Sequence, residues 1–414
     1  MNTKTNKVEA SRRVFFRRFS VPVPTLLLCL LSPQASAATQ DALFLQYVLN
    51  TCNTPIGAAP PSWDLLSLGD LCSLLSVGGP AGGATPPSAV SANLGTVNAG
   101  SGAASRKKKG IRVPLDGQEE KTDKGASADG GGWGLLVTPQ YSKSDRPETD
   151  LENGYQASLR GLVVGLDYRF SDSLVLGLAV GQTKDQANFD NNAGFLKTGN
   201  NTATMYGTWL YSESIAVDGY LGYGKLNFDN QRQVVSGSNI SGAMSGNTTG
   251  QQTMAGLSAS YQTDVGRFNL APSFNLDYIK TGINAYNESG SNYNTNLMAL
   301  HYGDRSVTSL ASSLGGRLST SYGYDWGALL PSARLAAVHE FQNRTRQISN
   351  ELVITPGAGF LVETDSPDRN YLNLGLGVAA ALNGGAQLFL DFEKRSQDRL
   401  LDSWAVSIGA LVEF

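Results

Sequence analysis

The chain has 414 residues, with 32 Lys/Arg against 35 Asp/Glu, 47 Gly, and aromatics dominated by Tyr and Phe. That length suits one large domain with appendages, and the acidic balance without basic–aromatic clusters excludes nucleic acid as a partner. No apolar run approaches the roughly 18–20 residues of a transmembrane helix. A membrane-spanning form would therefore have to be a closed barrel, because only helices and barrels satisfy every backbone group in lipid.

Residues 1–37 read as an export signal. Lys4, Lys7, Arg12, Arg13, Arg17 and Arg18 form a basic n-region, Thr25–Leu31 an apolar core, and Ala35-Ser36-Ala37 a cleavage site. Ser11–Arg17 resembles a twin-arginine motif, but that route carries folded cargo, so export through the general secretory translocon is expected. Cys29 lacks a lipobox and leaves with the signal. Without the six Lys/Arg and one Glu of the signal, 26 basic and 34 acidic residues remain, a net charge of −8. The mature chain keeps Cys52 and Cys72, for which an oxidising envelope makes a disulfide the default. Two unpaired buried thiols are the alternative.

Residues 38–76 carry two partly amphipathic stretches, Ala42–Leu49 and Trp63–Leu75, separated by Pro55, Pro60 and Pro61. They predict a short helical segment. Residues 77–132 are Gly/Pro/Ser-rich and then charged, and read as a linker. No repeat of 20–50 residues is present.

From Trp133 to Phe414 the pattern is that of strands. Leu162, Val164, Leu166, Tyr168 and Phe170 alternate with Val163, Gly165, Asp167 and Arg169. Leu174–Val180, Leu372–Ala380 and Leu388–Phe392 alternate likewise, whereas the segments near Met205 and Met254 alternate poorly and are placed by spacing. In the last strand Trp404, Val406, Ile408, Ala410, Val412 and Phe414 share one face. Taken alone, that strand suits a soluble sheet as well as a lipid-facing wall.

The connections favour the wall. Short ones fall around Asp172, Glu213, Asp264, Tyr324 and Gly384. Long polar ones are expected at 145–154, 191–201, 229–250, 286–304, 345–369 and 396–401. Their strict alternation predicts an all-β protein, an antiparallel transmembrane β-barrel of about twelve strands, with short turns and both barrel ends in the periplasm. The last strand would then pair with the one near Gln140. Asp167, Arg169, Asp391, Glu393 and Glu413 lie opposite the apolar face. In mid-bilayer an Arg or Lys facing lipid would cost about 2–4 kcal/mol, so all five charges are expected in a wet lumen, paired with one another.

The barrel region resembles the autotransporter family, type V secreted proteins with a C-terminal translocator barrel. The residues that carry the resemblance are Gly161–Phe170 with Leu176–Gly181, Pro331 with Arg334 and His339–Phe341, Asp368–Gly377, and the terminal strand ending at Phe414. The resemblance implies a barrel at 133–414 in the outer-membrane lipid. A monomer is expected. The resemblance also implies that Trp404, Val412 and Phe414 are read by the barrel-assembly machinery and that the segment before the barrel threads the pore. Gly117, Gly125 and Gly130–Gly132 oppose a helix in that segment, and an extended thread suits it equally. The passenger departs from the family pattern of long β-solenoids, being short and without repeats.

An enzyme is not expected, nor a cofactor or metal. No His/Cys cluster has zinc spacing, and no glycine loop is built to cradle phosphate. The two histidines, His301 and His339, lie outside the passenger. His301, in a long loop beside Tyr302, Asp304 and Ser306, is the one candidate for a hydrolase. The reading is a translocator or anchor for a short passenger. A surface adhesin acting through Asn/Gly/Ser/Thr-rich loops, and less favourably an outer-membrane hydrolase, are the alternatives.

Overall fold

A computed structural model describes residues 46–48, 50–52, 54, 59–60, 62–77, 81–83, 132–236, 240–383 and 385–414. Twelve antiparallel strands form the barrel: β1 (Trp133–Arg146), β2 (Tyr155–Ser171), β3 (Leu174–Phe189), β4 (Gly194–Leu210), β5 (Ile215–Ser236), β6 (Ile240–Tyr261), β7 (Phe268–Ile283), β8 (Arg305–Ser319), β9 (Gly327–Glu340), β10 (Asn370–Leu382), β11 (Ala386–Ser396) and β12 (Asp402–Glu413). Each pairs with its neighbour in sequence. β12 returns to β1, with Ser407 opposite Gln140, so the sheet closes and has no free edge in lipid. Among the described residues no helix is long and apolar enough to cross a membrane.

Polarity on each wall inverts part-way up the strand. On β2 the outward side chains run Phe170, Tyr168, Leu166, Val164 and Leu162, then Arg160, Ser158 and Gln156. The inward ones run Arg169 and Asp167, then Val163, Leu159, Ala157 and Tyr155. β5 does the same, with Val217, Leu221 and Tyr223 outward below Lys225, Asn227 and Asp229. Below the inversion lipid lies outside and water inside. Above it water lies outside, and the interior takes an apolar core of Tyr155, Ala157, Ala187, Phe189, Ala193, Leu196, Leu226, Phe228 and Ile283. A girdle of exposed aromatics (Trp133, Phe170, Trp209, Tyr211, Tyr261, Tyr322, Tyr324, Trp326 and Phe414) marks the short-turn end.

Two connections differ from expectation. The segment 191–201 is a tight turn, Asp190–Asn192, followed by β4, not a long loop. Asn191 and Asn192 both take φ of 57°, a left-handed conformation that Asn tolerates. The segment 229–250 is the top of the β5–β6 hairpin, whose strands are 22 residues each. In both, outward polar residues stand in water while the ladder hydrogen bonds continue. The other long connections do fall at the long-loop end, and two of them fold further. Short strands Tyr286–Asn287, Leu300–Tyr302, Gln347–Leu352 and Gly359–Glu363 form a four-stranded sheet over the mouth.

Candidate functional site

The mouth of the barrel is a built platform. Arg232, near the top of β5, pairs with Glu288 of the 286–304 connection, Nη2 to Oε2 2.7 Å, both side chains buried. Glu288 also accepts from the Leu300 amide at 3.2 Å, and Arg232 donates to the Met298 carbonyl at 3.1 Å. Arg232 Nε and Nη2 and both Glu288 oxygens are thereby met, as a buried pair requires. Burial, and next the Glu288 carboxylate, hold the Tyr302 phenol well above its ordinary range, so it stays a neutral donor.

On this platform sits the segment at 46–77. Residues 46–48 and 50–52 are helical, and α1 spans Leu65–Val77. Asp64 caps α1, accepting from the Ser67 amide and hydroxyl at 3.2 and 2.6 Å. Those bonds hold its carboxyl below 3.8. A disulfide between Cys52 and Cys72, with Cα atoms 5.7 Å apart, ties the two helical pieces together. Val48 and Leu71 are buried in one core with Val234, Met244, Tyr286, Leu297, Met298, Leu300, Tyr302, Ile348 and Leu352. Polar contacts frame it. The Tyr47 hydroxyl donates to the Ala358 carbonyl, the Asp64 amide donates to Ile354 O at 2.8 Å, and the Tyr293 hydroxyl donates to Asp70 at 2.6 Å. Residues 81–83, part of the expected linker, add a short antiparallel strand to β5, with Gly83 opposite Val234.

The lumen below holds several internal ion pairs and hydrogen bonds. Arg334 grips Asp391 with two bonds of 2.8 and 2.6 Å and reaches Glu393 at 3.4 Å. Gly375 leaves it room, since a Cβ there would lie 2.8 Å from Arg334 Nε. Arg169 lies 3.7 Å from Glu413, and Asp167 accepts from Tyr206 at 2.9 Å. Asp218, Asp277, Arg317, Arg334, Glu393 and Arg395 line a wet cavity of about 220 Å³.

The barrel is closed, with both its ends at the short-turn side and a long-loop mouth. A family model described as the autotransporter β-domain matches residues 135–393. The chain belongs to this family. As an autotransporter β-domain it resides in the outer membrane, and the translocator barrel is not itself catalytic. Among solved structures it resembles the translocator domain of the autotransporter NalP from Neisseria meningitidis (TM-score 0.54, 14% identity, 79% of this chain and 100% of that one). It also resembles the β-domain of the Bordetella autotransporter BrkA (TM-score 0.50, 18% identity, 69% and 100%). Among curated proteins, Lipase 1 of Photorhabdus luminescens is 22% identical over 254 residues, 61% of this chain and 38% of that protein. Outer membrane protein B of Rickettsia japonica is 22% identical over 256 residues, 60% and 15%. The matches thus span less than half of these longer relatives.

In this autotransporter the terminal strand closes the barrel. The Trp133 amide donates to Phe414 O and the Phe414 amide to Trp133 O, both at 2.9 Å. Trp404, Val412 and Phe414 share the lipid side, and Phe414 is 70% exposed. His301 meets Asn287 at 2.5 Å, and Asp304 is taken by the Ala285 amide at 2.6 Å. His339, outward on β9, meets Asn370 at 2.8 Å. Among the described residues no group of three His, Cys, Asp or Glu could hold a metal. The pore-threading stretch expected at 106–132 and the signal at 1–37 lie outside the described residues, save for Gly132. Sequence reading missed the platform, because its strands of two to six residues pair only across distant loops. The clue available was apolar content inside polar connections: Leu297, Met298 and Leu300, then Ile348 and Leu352.

Proposed function

We propose that this autotransporter carries its short passenger to the outer face and keeps it there, docked on its own barrel. The shared core of Val48 and Leu71 with loop residues carries the reading. Released cargo has no use for such a core, whereas retained cargo needs it. The docked segment sits at the long-loop end, and the barrel starts again at the short-turn end. Residues 84–131 join the two. Their 48 residues can span up to ~160 Å when extended, several times the height of the barrel, so a single crossing of the lumen is within reach.

The rest follows from that role. The chain enters the envelope through the secretory translocon, and the barrel-assembly machinery reads Trp404, Val412 and Phe414. The closed wall needs no second copy, so the protein is a monomer. It is a surface scaffold rather than an enzyme, since each histidine is engaged by an asparagine rather than by a serine or an acid. Leu66 is 85% exposed on α1, so Leu66→Cys offers a label site. A membrane-impermeant maleimide should label it on intact cells. Labelling only after the outer membrane is disrupted overturns the reading. Esterase or protease activity lost in His301→Ala would overturn the non-enzymatic part.

A further inference from the structure

The outer wall carries an unbalanced charge just above its apolar band. Arg160 on β2 and Lys184 on β3 stand directly opposite each other, outward and exposed. Opposed side chains of this kind lie about 5 Å apart at Cβ, and like charges so placed are destabilising. Among the described residues neither side chain has a hydrogen bond or ion pair. Their outward neighbours Ser158, Gln182 and Gln186 are uncharged.

On the far side of Lys184 lies Gly199 of β4, where a Cβ would meet nothing within 4 Å. Arg160, Lys184, Lys197 and Gly199 line one recess of about 860 Å³. Asp229, opposite Lys197, and Asp185, whose side chain is buried on the inward face, are the carboxylates on its lining, and neither forms an ion pair with Arg160 or Lys184. Directly below, β3 continues with Val180, Leu178 and Leu176, and β4 with Ala203 and Met205. An apolar recess of about 600 Å³ between Leu176, Met205, Trp209, Leu221 and Leu257 lies lower still, beside the short-turn girdle.

A cationic hollow above an apolar wall is the complement of an amphiphile with its phosphate uppermost. We propose that this wall binds a phosphate-bearing, multi-acylated lipid of the outer leaflet, with its phosphate between Arg160 and Lys184 and its chains along Leu162, Val180, Leu178 and Ala203. The Arg160 fork suits bidentate phosphate oxygens, and Lys184 adds a point charge. A bound phosphate turns the repulsion between the two cations into two attractions.

The test uses the full chain in neutral detergent, titrated with diphosphoryl lipid A, its dephosphorylated counterpart with the same acyl chains, and inorganic phosphate, each read by native mass spectrometry. The diphosphoryl lipid should bind at least tenfold more tightly than the dephosphorylated one, and more weakly as salt rises. Arg160→Gln with Lys184→Gln should lower that affinity about tenfold. Arg160→Lys with Lys184→Arg should largely keep it, which separates lost charge from lost fold. Lys394→Gln, which removes an outward cation already paired with Asp402, should leave it unchanged. Equal binding of the dephosphorylated lipid would reduce the site to acyl packing and overturn the proposal. So would an equal loss in Lys394→Gln, or inorganic phosphate binding as tightly as the lipid.

Discussion

Removing the disulfide gives the sharpest test of a passenger held in place. In Cys52→Ser with Cys72→Ser, the platform contacts of Tyr47, Val48 and Leu71 remain, and only the cross-link is lost. The bond closes a loop with a sequence separation of 20. Chain entropy for a loop of that length comes to about 3.3 kcal/mol at 25 °C. That energy opposes opening of the docked segment, so its open population should rise roughly 200-fold. Cleavage by a protease tracks this population when reclosing outpaces cutting. The assay is thermolysin added to outer-membrane vesicles, with the 46–77 segment followed by an epitope and the barrel followed by its heat-dependent gel shift. The reduced wild type should behave like the double mutant, and the barrel should not change in either. If cleavage of the segment stays within twofold of the oxidised wild type, the cross-link does not govern docking and the reasoning fails.

Three further outcomes are expected. Arg334→Met leaves Asp391 and Glu393 facing each other and should cost about 1–3 kcal/mol, less than a fully buried pair because Arg334 is partly wet; adding Asp391→Leu should recover most of the loss in urea unfolding, and no recovery would refute pairing as the cause. Deleting Phe414 should lower the yield of folded barrel in the outer membrane severalfold, and an unchanged yield would sink the assembly-signal reading. Burial opposes the charge of Asp368, but hydrogen bonds and charge from Arg399 outweigh it and hold the carboxyl below 3.8. With its folded value depressed, this contact stabilises the loops above the ordinary aspartate range and is lost as pH falls through the folded value. A difference in loop protection between wild type and Arg399→Gln should therefore exist at pH 5 and shrink as pH falls below the ordinary aspartate value, and one that does not shrink there would contradict the mechanism.

The membrane band was legible because lipid imposes one rule. Outward residues from Leu162 to Phe170 are all apolar, and the period of two is plain. Closure through Gln140 and Ser407 followed from counting connections. Above Arg160 the period persists but its phase reverses, since water now lies outside and a core inside. A reader who looks for apolar residues on a constant face sees the signal fade there. For that reason the tops of β4, β5 and β6 read as loops. The docked segment was legible only as an amphipathic stretch. Val48 and Leu71 announce a face to be buried, but their partners Met298 and Leu352 lie 227 to 304 residues away, joined by pairings that no local pattern encodes.

The tall β5–β6 hairpin has a consequence for who can touch this protein. From Lys225 at the edge of the apolar band to Val234 under the docked segment, nine residues rise at ~3.3 Å each along a strand tilted by ~40°. The segment therefore rides roughly 23 Å above the bilayer. At that altitude it clears the headgroups and stands among, or over, whatever saccharide coats the cell. A bulky reagent such as an antibody or a phage fibre could reach α1 while the shorter connections remain in shadow. The hairpin is a mast, and its length decides which encounters the surface of the cell permits.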